Sequence, residues 1–290
     1  MAKCTHAVAT FVAAFAVACG SGSPPGSPSG AAARPPLTLK VMTFNIQHGI
    51  DGNGRYNLQN APAVIARVQP DIVGLQEVTR NHPFYQCDDQ PAKIASTLQS
   101  MTGQLWSVSY QQEWFTPDVS CQQSGRGDGR ETEGLVLLTR RAMTPTTMTA
   151  LVDSRIGLET TLADAYALPF VVTHLTSGST AGSTRAEQVM QLTGWVSRFG
   201  DPQIVIGDFN AAPGSAELQP MAAYRDAWQD AVTAGRATGN ANSHGTSRID
   251  YVFFRGASLT LTAVDVVDTT SLVGVQASDH SPVVATFTVR

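Results

Sequence analysis

Residues 37–290 of this sequence predict a single α+β domain of mixed β-sheets with helices on their outer faces. Three observations carry that reading. Short apolar or alternating runs of strand length recur along the chain, and amphipathic helical stretches separate some of them. Neither an internal repeat nor a second linker divides the run. The composition, 42% hydrophobic and 14% charged with 25 Gly and 16 Pro, suits a loop-rich globular fold with a sizeable core.

The elements follow in order. "LTLKVMTFNI" (37–46) alternates as a strand does, and "APAVIARVQP" (61–70) sets Ile65 and Val68 at helical spacing, with Pro62 in the first turn and Pro70 as the stop. "DIVGLQEV" (71–78) is a short apolar strand, a second helix is expected over Pro91 to Met101, and "LWSVSYQQ" (105–112) reads as a strand. Residues Phe115 to Glu131, enclosing "SGRGDGRE", read as a Gly-rich loop. Strands are expected at "EGLVLLTR" (133–140), "TMTALV" (147–152) and "LPFVVTHL" (168–175). A helix follows at "TRAEQVMQLTGWVSRF" (184–199), with a Thr184 to Glu187 capping box and a stripe of Val189, Leu192, Val196 and Phe199. The rest, "QIVIGDFN" (203–210), "RIDYVFF" (248–254), "LTLTAVDVV" (259–267) and "SPVVATFTV" (281–289), is strand-like.

The first segment stands apart. Lys3 and an apolar stretch from Ala7 to Ala18 read as a secretory signal over residues 1–18, and "CGSGSPPGSPSGAAARPP" (19–36) reads as a flexible tether. The apolar run is too short to span a bilayer. Export follows as an expectation: a periplasmic, cell-envelope or secreted protein. Val17 and Ala18 before Cys19 resemble the bacterial lipoprotein signal, in which that cysteine is lipidated and becomes a membrane tether. Ala16 stands where that signal usually has Leu, so plain cleavage stays open. The even pair left over, Cys87 and Cys121, suggests a disulfide in an exported protein, against the alternative of two free buried thiols.

Without residues 1–18 the chain has 18 basic and 23 acidic residues, and its lysines are only Lys40 and Lys93. No basic run appears. Tight binding along a phosphate backbone is therefore disfavoured, although a local Arg cleft is compatible with an acidic whole.

The chemistry-bearing residues cluster at strand ends. Asn45 follows "VMTF", Glu77 follows "VGLQ", His174 follows "VVT", Asp208 follows "IVIG", Asp250 lies in "RIDYVFF", and Asp279 and His280 precede the last strand. Each alone reads as a turn cap, a solvated acid or a satisfied histidine. Together they converge, because the strand ends of one sheet layer share a rim. Acids and amides on one rim form a hard, oxygen-rich site suited to Mg²⁺, with Mn²⁺ as the alternative. Histidines beside it supply the proton transfer that phosphoester hydrolysis needs. In "VIGDFNA", strand alternation would turn Asp208 and Asn210 to one face, and a plain turn at Pro213-Gly214 is the competing reading.

Taken in order, "TFNIQHG", "DIVGLQEV", "THL" with "RAEQ", "VIGDFNA", "SRIDYVFF" and "SDHSPV" resemble the motifs of the endonuclease/exonuclease/phosphatase superfamily, the deoxyribonuclease I-like fold, from about Val41 to Val284. The resemblance implies a four-layer α/β/β/α sandwich of two packed mixed β-sheets flanked by helices, with the site at one rim. It implies that Glu77 is the principal metal ligand, helped by Asn45, with Asp279 close to the metal. Asp208 and Asn210 would orient the water and hold the phosphate, His280 would transfer a proton with Asp250 fixing it, and His174 would stabilise charge on the phosphate. His174 also matches the branch of nucleases, sphingomyelinases and inositol polyphosphate phosphatases, where the abasic-site endonucleases have Tyr. Arg185 and Gln188 fit the pattern after "THL", with a helix-surface role equally open. His48, His244 and Arg248 are candidates for substrate contact or for loop roles, Arg126 and Arg130 are candidates for phosphate contact, and no partner for His82 can be named.

A metal-dependent phosphodiesterase is the function so implied, and a monomer is expected. The acidic balance and the tether lean toward a small or lipid-borne phosphodiester, as in a phospholipase C-like enzyme. A non-specific deoxyribonuclease I-like nuclease is the alternative, with nucleic acid the less favoured partner. No long aromatic hairpin of the sphingomyelinase kind is evident; Trp106, Trp114 and Phe115 bracket a loop open to substrate contact, but read first as core residues. A non-catalytic binding protein of the same fold would have lost Glu77, Asp208 or His280, and all three are present.

Overall fold

The computed structural model describes residues 35–117 and 119–290. The leader, Cys19 and nearly all of the tether lie outside the described residues. The chain runs β1 (Leu37–Asn45), α1 (Asn60–Val68), β2 (Ile72–Arg80), α2 (Gln90–Thr102), β3 (Ser107–Pro117), α3 (Ser120–Gln123) and β4 (Arg130–Thr139). It continues β5 (Thr147–Leu151), β6 (Arg155–Leu162), β7 (Leu168–His174), α4 (Gly182–Val196), β8 (Gln203–Asp208), β9 (Arg225–Asp226) and α5 (Ala227–Thr233). The last elements are β10 (Ala237–Gly239), β11 (Asp250–Arg255), β12 (Leu259–Val266), α6 (Thr269–Val273) and β13 (Val283–Val289).

Among the described residues the strands form a seven-stranded sheet ordered β10-β12-β13-β1-β2-β4-β3 and a six-stranded sheet ordered β5-β6-β7-β8-β11-β9. Both are mixed: β1 pairs β2 parallel and β13 antiparallel, while β8 pairs β7 parallel and β11 antiparallel. Period-two alternation then makes the layers. Leu39, Val41, Ile72, Leu135 and Leu137 of the first sheet meet Phe170, Val172, Ile204, Ile206, Val252 and Phe254 of the second. The residues between them turn outward: Met42, Phe44, Val73 and Leu75 pack on Val64, Ile65, Ile94 and Leu98 of α1 and α2. On the other side Val171, Val205 and Phe253 pack on Val189, Leu192 and Val196 of α4. Each large side chain buried in this way contributes about 1.5–3 kcal/mol, and a one-residue slip would expose a whole row. Gly74 lets the sheets close up, since a Cβ there would lie 2.7 Å from Ile206 Cδ1 and from Val172 Cγ2.

Several local expectations change. The sequence does not predict β6, because Arg155 and Glu159 interrupt its apolar pattern, yet it pairs β5 through Arg155–Glu159 and β7 through Gly157–Leu162. The capping box does not form: α4 begins at Gly182 with the Arg185 N–H bonded to the Ala181 carbonyl, which leaves Thr184 inside the helix. The Gly-rich loop is shorter than 115–131, because β3 and β4 resume pairing beyond a bulge, with Phe115 opposite Thr132 and Pro117 opposite Arg130. Trp106 is in the core, but Phe115 is 50% exposed beneath the Arg130 guanidinium. Cys87 and Cys121 are joined, tying the loop after β2 to α3.

Candidate active site

The rows that form the inner core run on into the site. On β1 the inward row Val41, Thr43 ends at Asn45; on β7 Phe170, Val172 ends at His174; on β8 Ile204, Ile206 ends at Asp208; and on β11 the row begins at Asp250. Register aligns them, with Asp208 directly opposite His174 on one side and Asp250 on the other. Gly207 makes the approach of β7 and β8 feasible: its φ is +150° and a Cβ would lie 2.0 Å from the Thr173 carbonyl oxygen.

Glu77 arrives differently. Strand parity puts its neighbour Gln76 inward, bonded to Thr43, but a bulge between Leu75 and Val78 and a φ of +54° bring the Glu77 carboxylate to the rim. There Asn45 Nδ2 donates to Glu77 Oε1 at 2.9 Å and to Asp208 Oδ2 at 3.2 Å, linking the two sheets through one amide. Gln47, His48 and Asn210 also hold left-handed backbone, at φ of +46°, +56° and +48°. Such positions cost roughly 1–3 kcal/mol each and gather at functional sites.

His280 is set by Asp250, whose Oδ2 lies 2.8 Å from Nδ1, while Nε2 lies 3.7 Å from Asp208 Oδ2. Burial alone would lower its pKa; the charge and hydrogen bond of Asp250, with Asp208 and Asp279, raise it to about 9. Burial and the neighbouring Asp250 push Asp208 up, against the pull of His280 and of hydrogen bonds from Asn210 and Asn45. His174 Nε2 lies 3.6 Å from the same Asp208 oxygen, but its Nδ1 is 3.1 Å from Arg155 Nη1. Burial and then the Arg155 charge hold His174 well below the usual histidine range. Asn210 reaches the site through a turn and not through strand alternation. Its backbone N–H donates to Asp208 Oδ1, and its Nδ2 donates to the Leu175 carbonyl at 2.9 Å and lies 3.3 Å from His174 Nε2.

Asp279 accepts from Gln47 Nε2 at 2.9 Å and lies 3.6 Å from His244 Nε2, whose ring packs 4.5 Å from that of His280. His48 contacts Glu133 Oε2 at 2.8 Å and Glu77 Oε2 at 3.7 Å, and stacks on Tyr85. Its pKa is raised: burial opposes the charge, but Glu133, Glu77 and Asp279 outweigh burial. The structure therefore brings Asn45, His48, Glu77, His174, Asp208, Asn210, Asp250, Asp279, His280 and His244 together.

Four candidates go elsewhere. Arg126 pairs with Asp88, and Arg130 stacks on Phe115 and reaches Gln112. Arg185 ties the Thr176 and Gly178 carbonyls to Glu217, and Arg248 pairs with Asp226 over the Tyr251 ring. Ion pairs and stacking engage these guanidiniums locally. Gln188 likewise braces the loop after β7 through Val152 and Thr176. His82 has a partner after all, Glu131 at 2.8 Å.

The sequence reading passed over Gln47, Tyr85, Glu113, Glu133, Arg155 and Ser278. Ser278 Oγ donates to the Asn45 carbonyl and accepts from the His280 N–H. Glu133, first residue of "EGLVLLTR", was the one with a legible signal, an acid opening an apolar strand.

The donor set fits a hard divalent cation: Glu77 and Asp279 offer carboxylate oxygens, and Asn45, whose Oδ1 here accepts from the Gln47 N–H, sets its Nδ2 between two carboxylates from different sheets. The buried group Asp208, Asp250 and His280, and the group His244, Asp279 and His280, are likewise close enough to hold a metal.

Residues 42–280 match the model of the Endonuclease/Exonuclease/phosphatase family. No curated protein matches the sequence. Among solved structures, an endonuclease/exonuclease/phosphatase from Beutenbergia cavernae DSM 12333 is 24% identical with a TM-score of 0.64, over 87% of this chain and 72% of that one. A family protein from Bacteroides thetaiotaomicron is 16% identical with a TM-score of 0.64, over 89% of this chain and 100% of that one. The human Nocturnin catalytic domain, solved with a bound sulfate anion, is 20% identical with a TM-score of 0.62, over 88% of this chain and 94% of that one. At these identities the likeness shows the fold.

Proposed function

The chain belongs to the endonuclease/exonuclease/phosphatase family, and from that premise and the rim geometry we propose a divalent-metal-dependent phosphodiesterase acting on a small or lipid-borne phosphodiester. Glu77, Asn45 and Asp279 would hold the metal, Mg²⁺ by their chemistry, with Mn²⁺ as a substitute. When bound it supplies Lewis-acid neutralisation of charge on the phosphoryl group. Asp208 accepts the proton of the attacking water, and Asn210 fixes the Asp208 carboxylate through its backbone N–H. His280, held cationic by Asp250, donates its Nε2–H to the charge that develops as the ester bond breaks. The leader-like first residues and Cys19 support an exported enzyme tethered at a membrane.

One observation carries the substrate class. The four arginines that stood closest to a role in phosphate contact, Arg126, Arg130, Arg185 and Arg248, are each committed to an acid, a carbonyl or an aromatic ring away from the cluster. With these four guanidiniums so engaged, the site suits one phosphodiester better than a run of backbone phosphates. The test is release of product from bis-p-nitrophenyl phosphate, from phosphoinositide or sphingomyelin vesicles and from plasmid DNA, side by side with Mg²⁺. Turnover of the first two classes ahead of DNA is expected. Preferred cutting of plasmid would overturn the substrate class in favour of a nuclease.

A further inference from the structure

The two site histidines are braced by groups of opposite sign. Behind His280 stands the Asp250 carboxylate; behind His174 stands Arg155, whose Nη1 lies 3.1 Å from His174 Nδ1 and 3.1 Å from Glu113 Oε2. A guanidinium has only N–H donors, so the imidazole nitrogen facing it must accept. Nε2 also faces a donor, Asn210 Nδ2 at 3.3 Å, but that neutral amide already donates to the Leu175 carbonyl, whereas the Arg155 contact is charge-assisted and shorter. Nδ1 therefore carries the lone pair and Nε2 the hydrogen, 3.6 Å from the Asp208 Oδ2 acceptor.

This brace is built into the fold. Glu113 is the extra residue of the bulge in β3, between Gln112 opposite Gly134 and Trp114 opposite Glu133. The bulge needs Gly134, where a Cβ would lie 2.1 Å from the Gln111 carbonyl oxygen. The bulged side chain is 0% exposed and that of Arg155 is 14% exposed, so the pair crosses from the seven-stranded sheet to the six-stranded one beneath the rim. The buried Glu113 carboxyl accepts from Arg155 Nη1 whether or not it carries its proton, and both side chains are enclosed, which makes this a rigid mount.

We propose that Arg155, held by Glu113, is a positioning residue that locks His174 in its Nε2–H tautomer, so that His174 serves as a fixed hydrogen-bond donor to the substrate phosphate and leaves proton transfer to His280. The phosphate half rests on the phosphodiesterase reading above; the tautomer does not.

The test is a long-range ¹H–¹⁵N correlation spectrum of the histidine rings in the full chain at neutral pH, with His174 assigned by the signals lost in His174→Asn. His174 should show an unprotonated Nδ1 and a protonated Nε2. A protonated Nδ1, or two averaged nitrogens, would overturn the proposal. The double variant Arg155→Met, Glu113→Gln removes the guanidinium and the carboxyl together, so neither is left facing a lost partner. It should give a tautomer mixture and a kcat about ten- to a hundredfold lower with KM little changed. Arg155→Lys, also a pure donor, should restore the Nε2–H signal. A folded double variant that kept both the pure Nε2–H form and the parent kcat would equally refute the role, and if it does not fold the wild-type spectrum decides alone. An Nε2–H signal in a chain that hydrolyses no phosphoester would uphold the tautomer and sink the phosphodiesterase reading.

Discussion

The Nε2 atoms of His174 and His280 lie 3.6 and 3.7 Å from the same oxygen, Asp208 Oδ2, and only His280 has a carboxylate behind it. Two like side chains at one atom are thereby given different protonation behaviour by what stands on their far nitrogens.

His280→Ala should lower kcat by at least about 10²-fold with a much smaller change in KM. Because the imidazolium is the active form and His280 sits at about 9, kcat should fall as pH rises through that value. Asp250→Asn should bring the alkaline limb down toward the ordinary histidine value of 6.5. A pH–rate profile whose limb stays in place in Asp250→Asn would reject this pairing.

Excess EDTA should abolish turnover and added Mg²⁺ should restore it, since the Glu77 and Asp208 carboxylates converge on one amide and a divalent cation there would neutralise charge on the phosphoryl group. Glu77→Gln should weaken Mg²⁺ binding, read by titration of activity against free metal. Undiminished turnover in EDTA would rule out the metal role.

Glu113 makes stability fall with pH. Burial raises its carboxyl from 4.5 to about 8 despite Arg155. The folded state therefore holds a proton that the unfolded chain releases, and the stabilisation present below about pH 4.5 is lost as pH rises through about 8. Glu113→Gln should flatten this slope, so that its Tm gains on the parent between those two values. Parallel Tm curves across that range would contradict it.

Replacing Cys87 and Cys121 by Ser should lower stability by about 3–4 kcal/mol, from a loop closed across 34 residues. Denaturant titration under oxidising conditions measures the loss; an unchanged midpoint with an unchanged slope would show that the loop is held without the crosslink.

Ionic strength offers a separate check on the substrate. On the single-phosphodiester proposal, KM for the preferred substrate should vary little with salt. A steep rise between low and physiological salt would point to a polyanionic substrate.

Much of this was legible along the chain. Apolar alternation located most strands, and Asn45, His174, Asp208 and Asp250 could be read because strand parity extends the inner rows to the rim. What escaped depended on broken parity or on distant partners. Glu113 lies at a bulge that no periodicity marks, Arg155 opens a strand with a weak apolar pattern, and His48 meets Glu133 across 85 residues. The arginines misled for the opposite reason: a guanidinium beside a motif says nothing of the acid that claims it, as Glu217 claims Arg185 and Asp226 claims Arg248.

The Asn45–Asp208 hydrogen bond joins residues 163 positions apart, one from each sheet. Neither sheet holds a working half: Asn45 and Glu77 come from the seven-stranded sheet, His174, Asp208 and Asp250 from the six-stranded one. An expanded state that kept every strand but let the sheets separate would retain its far-ultraviolet circular dichroism and be catalytically dead. Turnover thus reports the docking of the two halves, and under mild denaturant it should vanish before the secondary structure does.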